Sequence, residues 1–221
     1  MKRLIQKLLH PFYKKYHFWY HRKPRKYAFK QVYTIVQPGV FSPKNTISTR
    51  VFLNFMDAFN VRNKSVLELG CGSGIISLYM AYKGAKVTAS DINEVALTSL
   101  HKVSLAQALA INTVCSNLFE KLTISDFDFI CINPPYYPKK PENMAENAWF
   151  CGENFEYFDR LFLQLKTANL PAQQVYMILS DGCELDRIKS LAHQYQLDLT
   201  LCFSKKMTFE MAYIFRLTRL K

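Results

Sequence analysis

From Ser65 onward the chain repeats one pattern: a short apolar run of strand length, a turn rich in Gly, Asp or Asn, then a longer stretch with helical period. That repeat constrains the fold more than any other feature, because parallel strands need a crossover helix between them and so build a sheet covered on both faces. It predicts strands over 65–69, 86–90, 112–115, 127–132, 174–180, 197–203 and 209–218, and helices over 74–83, 93–107, 154–168 and 184–195. A helix over 46–58 should bury Val51, Phe52, Phe55, Met56 and Phe59. The last two strands are joined by a short link containing Lys205 and Lys206, too short for a helix, so they should pair antiparallel. The expected architecture is an α/β, seven-stranded, mostly parallel sheet with a C-terminal antiparallel hairpin.

The 221 residues, 49% of them hydrophobic, suffice for one core and an appendage. Charge marks the appendage. The net +12 is concentrated in residues 1–50, which hold twelve Lys or Arg and no Asp or Glu, whereas the remainder balances. The same stretch carries ten aromatics, among them Tyr16, Phe18, Trp19, Tyr20 and Tyr27, interleaved with Lys14, Lys15, Arg22, Lys23, Arg25 and Lys26. Cations next to rings suit a phosphate backbone with stackable bases. Two other readings are a solvated extension whose rings pack on the core, and an amphipathic helix on an anionic membrane through Leu4, Ile5, Leu8 and Leu9. The division expected is a basic aromatic arm over 1–45, helical and broken by Pro11 and Pro24 up to residue 27 and extended over 28–41, followed by a catalytic domain over 46–221.

Six widely spaced cysteines without a C-x-x-C pair, no secretory apolar region and no run approaching a membrane span predict reduced thiols and a cytoplasmic protein. The five histidines lack metal-ligand spacing, and no structural metal is expected.

The strand Ser65-Val66-Leu67-Glu68-Leu69 runs into Gly70-Cys71-Gly72-Ser73-Gly74 and then a helix, so backbone can approach a nucleotide-like ligand at the strand's carboxyl end. The dinucleotide fingerprint requires glycine at position 75, where Ile75 stands, which argues against NAD or FAD. At the end of the next strand Asp91 lies about twenty residues beyond the loop, placed to accept both ribose hydroxyls or to cap the following helix, with Ile92 against the base. After the fourth strand comes Asn133-Pro134-Pro135-Tyr136. Successive prolines make a turn without donors, leaving the Asn133 side-chain oxygen and the Pro134 carbonyl as acceptors beside an aromatic ring: a receptor for a flat NH2 group.

In their order these motifs resemble the Rossmann-like class I S-adenosylmethionine (SAM)-dependent methyltransferases. They are most similar to the N-methyltransferases with an Asn-Pro-Pro-Tyr motif, in the HemK-like and small-domain group. The resemblance rests on Glu68 to Gly74, Ser90-Asp91-Ile92-Asn93, Ser116-Asn117-Leu118-Phe119 and the tetrad, with Ala148 to Asn154 and Asp159-Arg160 matching the segment after the catalytic loop. It implies that Glu68, Gly70 and Gly72 shape the methionine pocket, that Asp91 binds ribose, and that Asn117 and Leu118 lie by the adenine, with Cys71, Gly74 and Ile92 completing the expected cofactor-binding set. It further implies that Asn133, Pro134, Pro135 and Tyr136 form the catalytic turn, with Asn133 touching cofactor and substrate. Asn117 stands where the family usually has Asp, and the helical substrate domain of the bacterial glutamine enzymes is replaced by the basic arm. The expectation is methylation of an RNA base in rRNA or tRNA. The alternatives are glutamine N5-methylation of a release factor or ribosome-associated protein, and a non-catalytic SAM-fold protein that binds RNA.

Overall fold

The computed structural model describes residues 23–44, 48–167, 174–207 and 210–220. The sheet is built from β3 (Ser65–Leu69), β4 (Lys86–Asp91), β5 (Ile111–Cys115), β6 (Phe129–Ile132), β7 (Gln174–Ser180), β8 (Leu197–Lys206) and β9 (Met211–Arg219). Their order is β5-β4-β3-β6-β7-β9-β8; the first five are parallel, and β9 runs antiparallel between β7 and β8. The seven-stranded, mostly parallel sheet and its terminal hairpin therefore stand as read from the alternation.

Helices α1 (Ser48–Asp57), α2 (Ile75–Tyr82) and α3 (Glu94–Ala106) share one core with one face of the sheet, through residues such as Phe52, Met56, Ile76 and Leu100. Helices α4 (Glu156–Thr167) and α5 (Leu185–Gln194) cover the other through Phe158, Phe162, Leu165, Ile188 and Leu191. The central strand β6 reads Phe-Ile-Cys-Ile without polar alternation because all four side chains are buried. It begins at Phe129, later than the expected 127, because Asp128 turns aside and accepts both the backbone N–H and the hydroxyl of Ser65, each at 2.9 Å. Lys205 and Lys206 are ladder residues of β8, opposite Ala212 and Met211, rather than a link.

The expected helical arm over 1–22 lies outside the described residues. From Arg25 the chain is a hairpin: β1 (Arg25–Phe29) pairs antiparallel with β2 (Val32–Val36) around Lys30, whose φ of 48° closes a tight turn. So over 25–27 the end of the expected helix, and the single extended segment after it, are replaced by two paired strands, because Phe29, Val32, Thr34 and Val36 need a common buried side. Phe29 meets Tyr79 of α2 edge-on at 4.9 Å. The Thr34 hydroxyl donates to the Ser73 carbonyl, and the Gln107 side chain bonds both the N–H and the C=O of Tyr33 at 3.0 and 2.8 Å. These bonds fix the hairpin on α2 and α3 and deliver residues 39–43 to the glycine loop.

Candidate active site

A cleft of about 600 Å³ opens at the carboxyl ends of β3, β4, β5 and β6, where open parallel sheets bind ligands and in the size range of cofactor pockets. Every residue singled out in the sequence lines it except Gly74: Glu68, Gly70, Cys71, Gly72, Asp91, Ile92, Asn117, Leu118, Asn133, Pro134, Pro135 and Tyr136. Gly74 has a different task. It begins α2 at φ 71°, and a Cβ there would stand 2.5 Å from the Leu100 side chain, so its absent side chain serves helix packing. Gly70, also at positive φ, has the opposite surroundings, for a Cβ there would find no atom within 4 Å. The bare backbone at Gly70 leaves space for a ligand, not for protein.

The carboxylate of Asp91 organises the loop. Its Oδ2 accepts the Gly72 N–H at 2.7 Å and its Oδ1 the Asn93 N–H at 2.9 Å. Burial raises its pKa, and the backbone donors oppose that shift. The cap of α3 falls to Asn93, whose side chain accepts from Val95 at 3.0 Å, so capping does not account for Asp91. Deeper in the cleft, Glu68 Oε2 accepts the Ser77 N–H at 2.7 Å and the Ser77 hydroxyl. Burial nonetheless pushes the Glu68 carboxyl up to about 8. Burial likewise raises the Cys71 thiol well above its ordinary value, which makes it an inert wall rather than a nucleophile.

Two asparagines face the cleft with their amides oriented by neighbours. Asn117 donates from Nδ2 to Glu120 Oε1 at 2.9 Å, and Asn133 donates from Nδ2 to Thr49 Oγ1 at 3.4 Å. Glu120 lies outside the lining and Thr49 within it, and among the described hydrogen bonds neither Oδ1 is engaged, so each is available as an acceptor. Pro134 is buried behind Asn133, and the Tyr136 ring lies 4.9 Å from Tyr137 at 58°. Burial raises the Tyr136 phenol, and the Ser180 side chain is its hydrogen-bond partner.

Other lining residues carried no periodicity or spacing signal. Phe41 lies over the glycine loop, 3.5 Å from where a Cβ at Gly72 would stand, and meets the Trp149 ring at 5.1 Å. The Trp149 segment is strapped to the tetrad's end: Tyr137 donates to the Trp149 carbonyl at 3.1 Å and Cys151 to the Tyr137 carbonyl at 3.0 Å. Tyr157 and Arg160, from α4, complete the wall near Asp91. Thr49 was legible only as a residue of a predicted helix.

The family model described as the methyltransferase small domain matches residues 31–150, more than half of the chain. The chain belongs to the methyltransferase small domain family. It is 35% identical over 136 residues to a putative protein N5-glutamine methyltransferase of Methanocaldococcus jannaschii, covering 59% of this chain and 66% of that protein. It is 36% identical over 115 residues to ribosomal RNA small subunit methyltransferase C of Buchnera aphidicola, covering 49% of this chain and 34% of that protein. The chain thus spans less than two thirds of the length of either relative.

Solved structures agree in fold. One is the E. cuniculi Mtq2–Trm112 complex responsible for methylation of the translation termination factor eRF1, with a TM-score of 0.62, 18% identity, and coverage of 82% of this chain and 99% of that one. Another is the T. thermophilus 16S rRNA N2 G1207 methyltransferase with AdoMet and guanosine, with a TM-score of 0.59, 20% identity, and coverage of 88% and 50%. Among the described residues no helix is long and apolar enough to cross a membrane.

Proposed function

We propose that the protein is a SAM-dependent N-methyltransferase acting on a planar NH2 group, with a base in RNA as the acceptor. The observation that carries this reading is Asn133, at the head of the Asn-Pro-Pro-Tyr turn, on the same cleft as the bare Gly70 backbone and the Asp91 carboxylate. The cleft fits the cofactor chemically: open space over Gly70 admits a close ligand, and Asp91 offers paired acceptors to vicinal hydroxyls and a carboxylate that suits a cationic ligand. Glu68, Gly70, Cys71 and Gly72 hold its methionine end, Asp91 its ribose, and Ile92, Asn117 and Leu118 its adenine.

Bound SAM supplies a methyl group already activated on a sulfonium. The remaining difficulty is the acceptor, since an exocyclic amine or amide nitrogen delocalises its lone pair. Asn133 Oδ1 and the Pro134 carbonyl accept the two N–H groups and favour bending of that nitrogen towards tetrahedral geometry. Tyr136 stacks on the flat acceptor and sets its angle. Catalysis then rests on alignment and fixed dipoles rather than on a strong base.

RNA is supported by the twelve cations of residues 1–50, with no acidic residue among them, by the aromatics interleaved with them such as Tyr16, Phe18, Trp19 and Tyr20, and by the similarity to ribosomal RNA methyltransferase C. Residues 1–45 then act as the substrate-binding arm of a catalytic domain over 46–221, with hairpin β1-β2 as its anchor. A second reading, transfer to a protein glutamine, is favoured by the 35% identity to the M. jannaschii relative. The deciding experiment transfers radiolabelled methyl groups into total RNA and total protein from a strain lacking the gene. Label in an RNA base supports the first reading, label in a protein glutamine supports the second, and label in neither with SAM bound points to a non-catalytic role.

A further inference from the structure

We propose that Glu120 is a positioning residue that sets the base specificity of the cofactor site by fixing which end of the Asn117 amide faces the ligand. The inference rests on the SAM reading above and deepens it. An amide at this position is ambiguous where a carboxylate would not be. Its oxygen would accept a hydrogen bond from the amine of adenine, whereas its nitrogen would repel that amine and suit a ring bearing a carbonyl at the same place. Asn117 cannot resolve the choice by itself, because the two ends have nearly the same shape.

The surroundings resolve it. Asn117 begins a turn whose backbone is pinned on every side: Ser116 donates to the Asp91 carbonyl at 3.1 Å, Glu120 to the Asn117 carbonyl at 3.3 Å, Lys121 to the Ser116 hydroxyl at 3.1 Å, and Phe119 to the Gln164 side chain at 2.9 Å. Leu118 takes a φ of 52° within it and is buried. With the backbone fixed, rotation about the two side-chain bonds is the remaining freedom, and Glu120 Oε1 restricts it by accepting from Nδ2 at 2.9 Å. A carboxylate can only accept, so it always selects the NH2 end and turns Oδ1 to the cleft. The pair does together what a single Asp would do, with the charge moved one turn away from the base.

The test uses calorimetry with two neutral-sulfur ligands, S-adenosylhomocysteine and S-inosylhomocysteine, whose bases carry an amine and a carbonyl at the same ring carbon. The wild type should prefer the adenosyl ligand. Glu120→Lys places a donor where the acceptor was, draws Oδ1 outward and presents Nδ2 to the base. The adenosyl preference should then fall by roughly tenfold or more, with inosyl binding improved, since a mispaired polar contact is what separates such ligands. Adding Asn117→Asp to Glu120→Lys should restore the adenosyl preference, because a carboxylate has no wrong end. A merely structural role for Glu120 would weaken both ligands alike. An unchanged preference ratio in folded Glu120→Lys would overturn the inference. Failure of the wild type to bind either ligand would instead overturn the cofactor reading beneath it.

Discussion

The side chain of Asn133 meets Thr49, a residue of α1 placed 84 positions earlier, on the wall of the cleft, through an Nδ2 to Oγ1 hydrogen bond of 3.4 Å. If Oδ1 must point at the acceptor nitrogen, Thr49→Val should lower turnover by about fivefold, corresponding to about 1 kcal/mol for one neutral hydrogen bond. Asn133→Ala removes the acceptor itself and should cost about 100-fold or more. Single-turnover methyl transfer at saturating SAM measures both. A fully active Asn133→Ala would end the proposed role of the tetrad.

The role proposed for Tyr136 lies in its ring and not in its phenol. Tyr136→Phe should keep most of the activity, because Ser180 is the partner that is lost. Tyr136→Ala should lose the stacking surface, worth about 1–3 kcal/mol for a base on an aromatic ring. Equal damage in the two variants would show that the hydroxyl takes part in the reaction.

Asp91, the proposed ribose ligand, also braces the Gly72 and Asn93 N–H groups. Asp91→Ala should therefore weaken SAM by about 2–3 kcal/mol through the lost charge-assisted bonds. Titration calorimetry on the folded variant checks this, and an unchanged affinity would remove Asp91 from the ribose assignment.

Glu68 gives a pH signature in the ligand-free protein. Burial raises its folded pKa to about 8, well above its unfolded value, so the native state binds the extra proton between the two. Its contribution to stability is complete below the unfolded pKa, declines as pH rises from there towards 8, and is gone above it, a total on the order of a few kcal/mol. Glu68→Gln stays neutral throughout. Chemical denaturation from pH 5 to 9 should show the wild type losing more stability than the variant over that window, and parallel curves would contradict it.

The six cations within residues 1–22 test the arm. Deleting that segment, which stops short of β1, should leave SAM affinity unchanged and flatten the salt dependence of RNA binding. Each lost phosphate contact takes about 0.7–0.9 from the log-log slope. An unaltered slope would assign the segment another partner.

What the sequence determined by itself is what depends on neighbours in the chain. Strand and helix alternation from Ser65, the glycine turn after β3, Asp91 at the end of β4 and the Asn-Pro-Pro-Tyr turn after β6 are local patterns. A parallel sheet brings strand carboxyl ends together as a matter of topology, so their meeting in one cleft followed. Tertiary structure decided what depends on contacts distant in sequence. Only the packing of Leu100 against Gly74 shows that this glycine serves helix contact, while a Cβ at Gly70 would stand in open space. Only the docking of the hairpin on α2 and α3 brings Phe41 over Gly72 and against Trp149, 108 residues further on by the numbering. The orientation of both asparagine amides belongs to the same class. An amide's two ends are alike to the chain that carries them, and a partner supplied by the fold has to tell them apart.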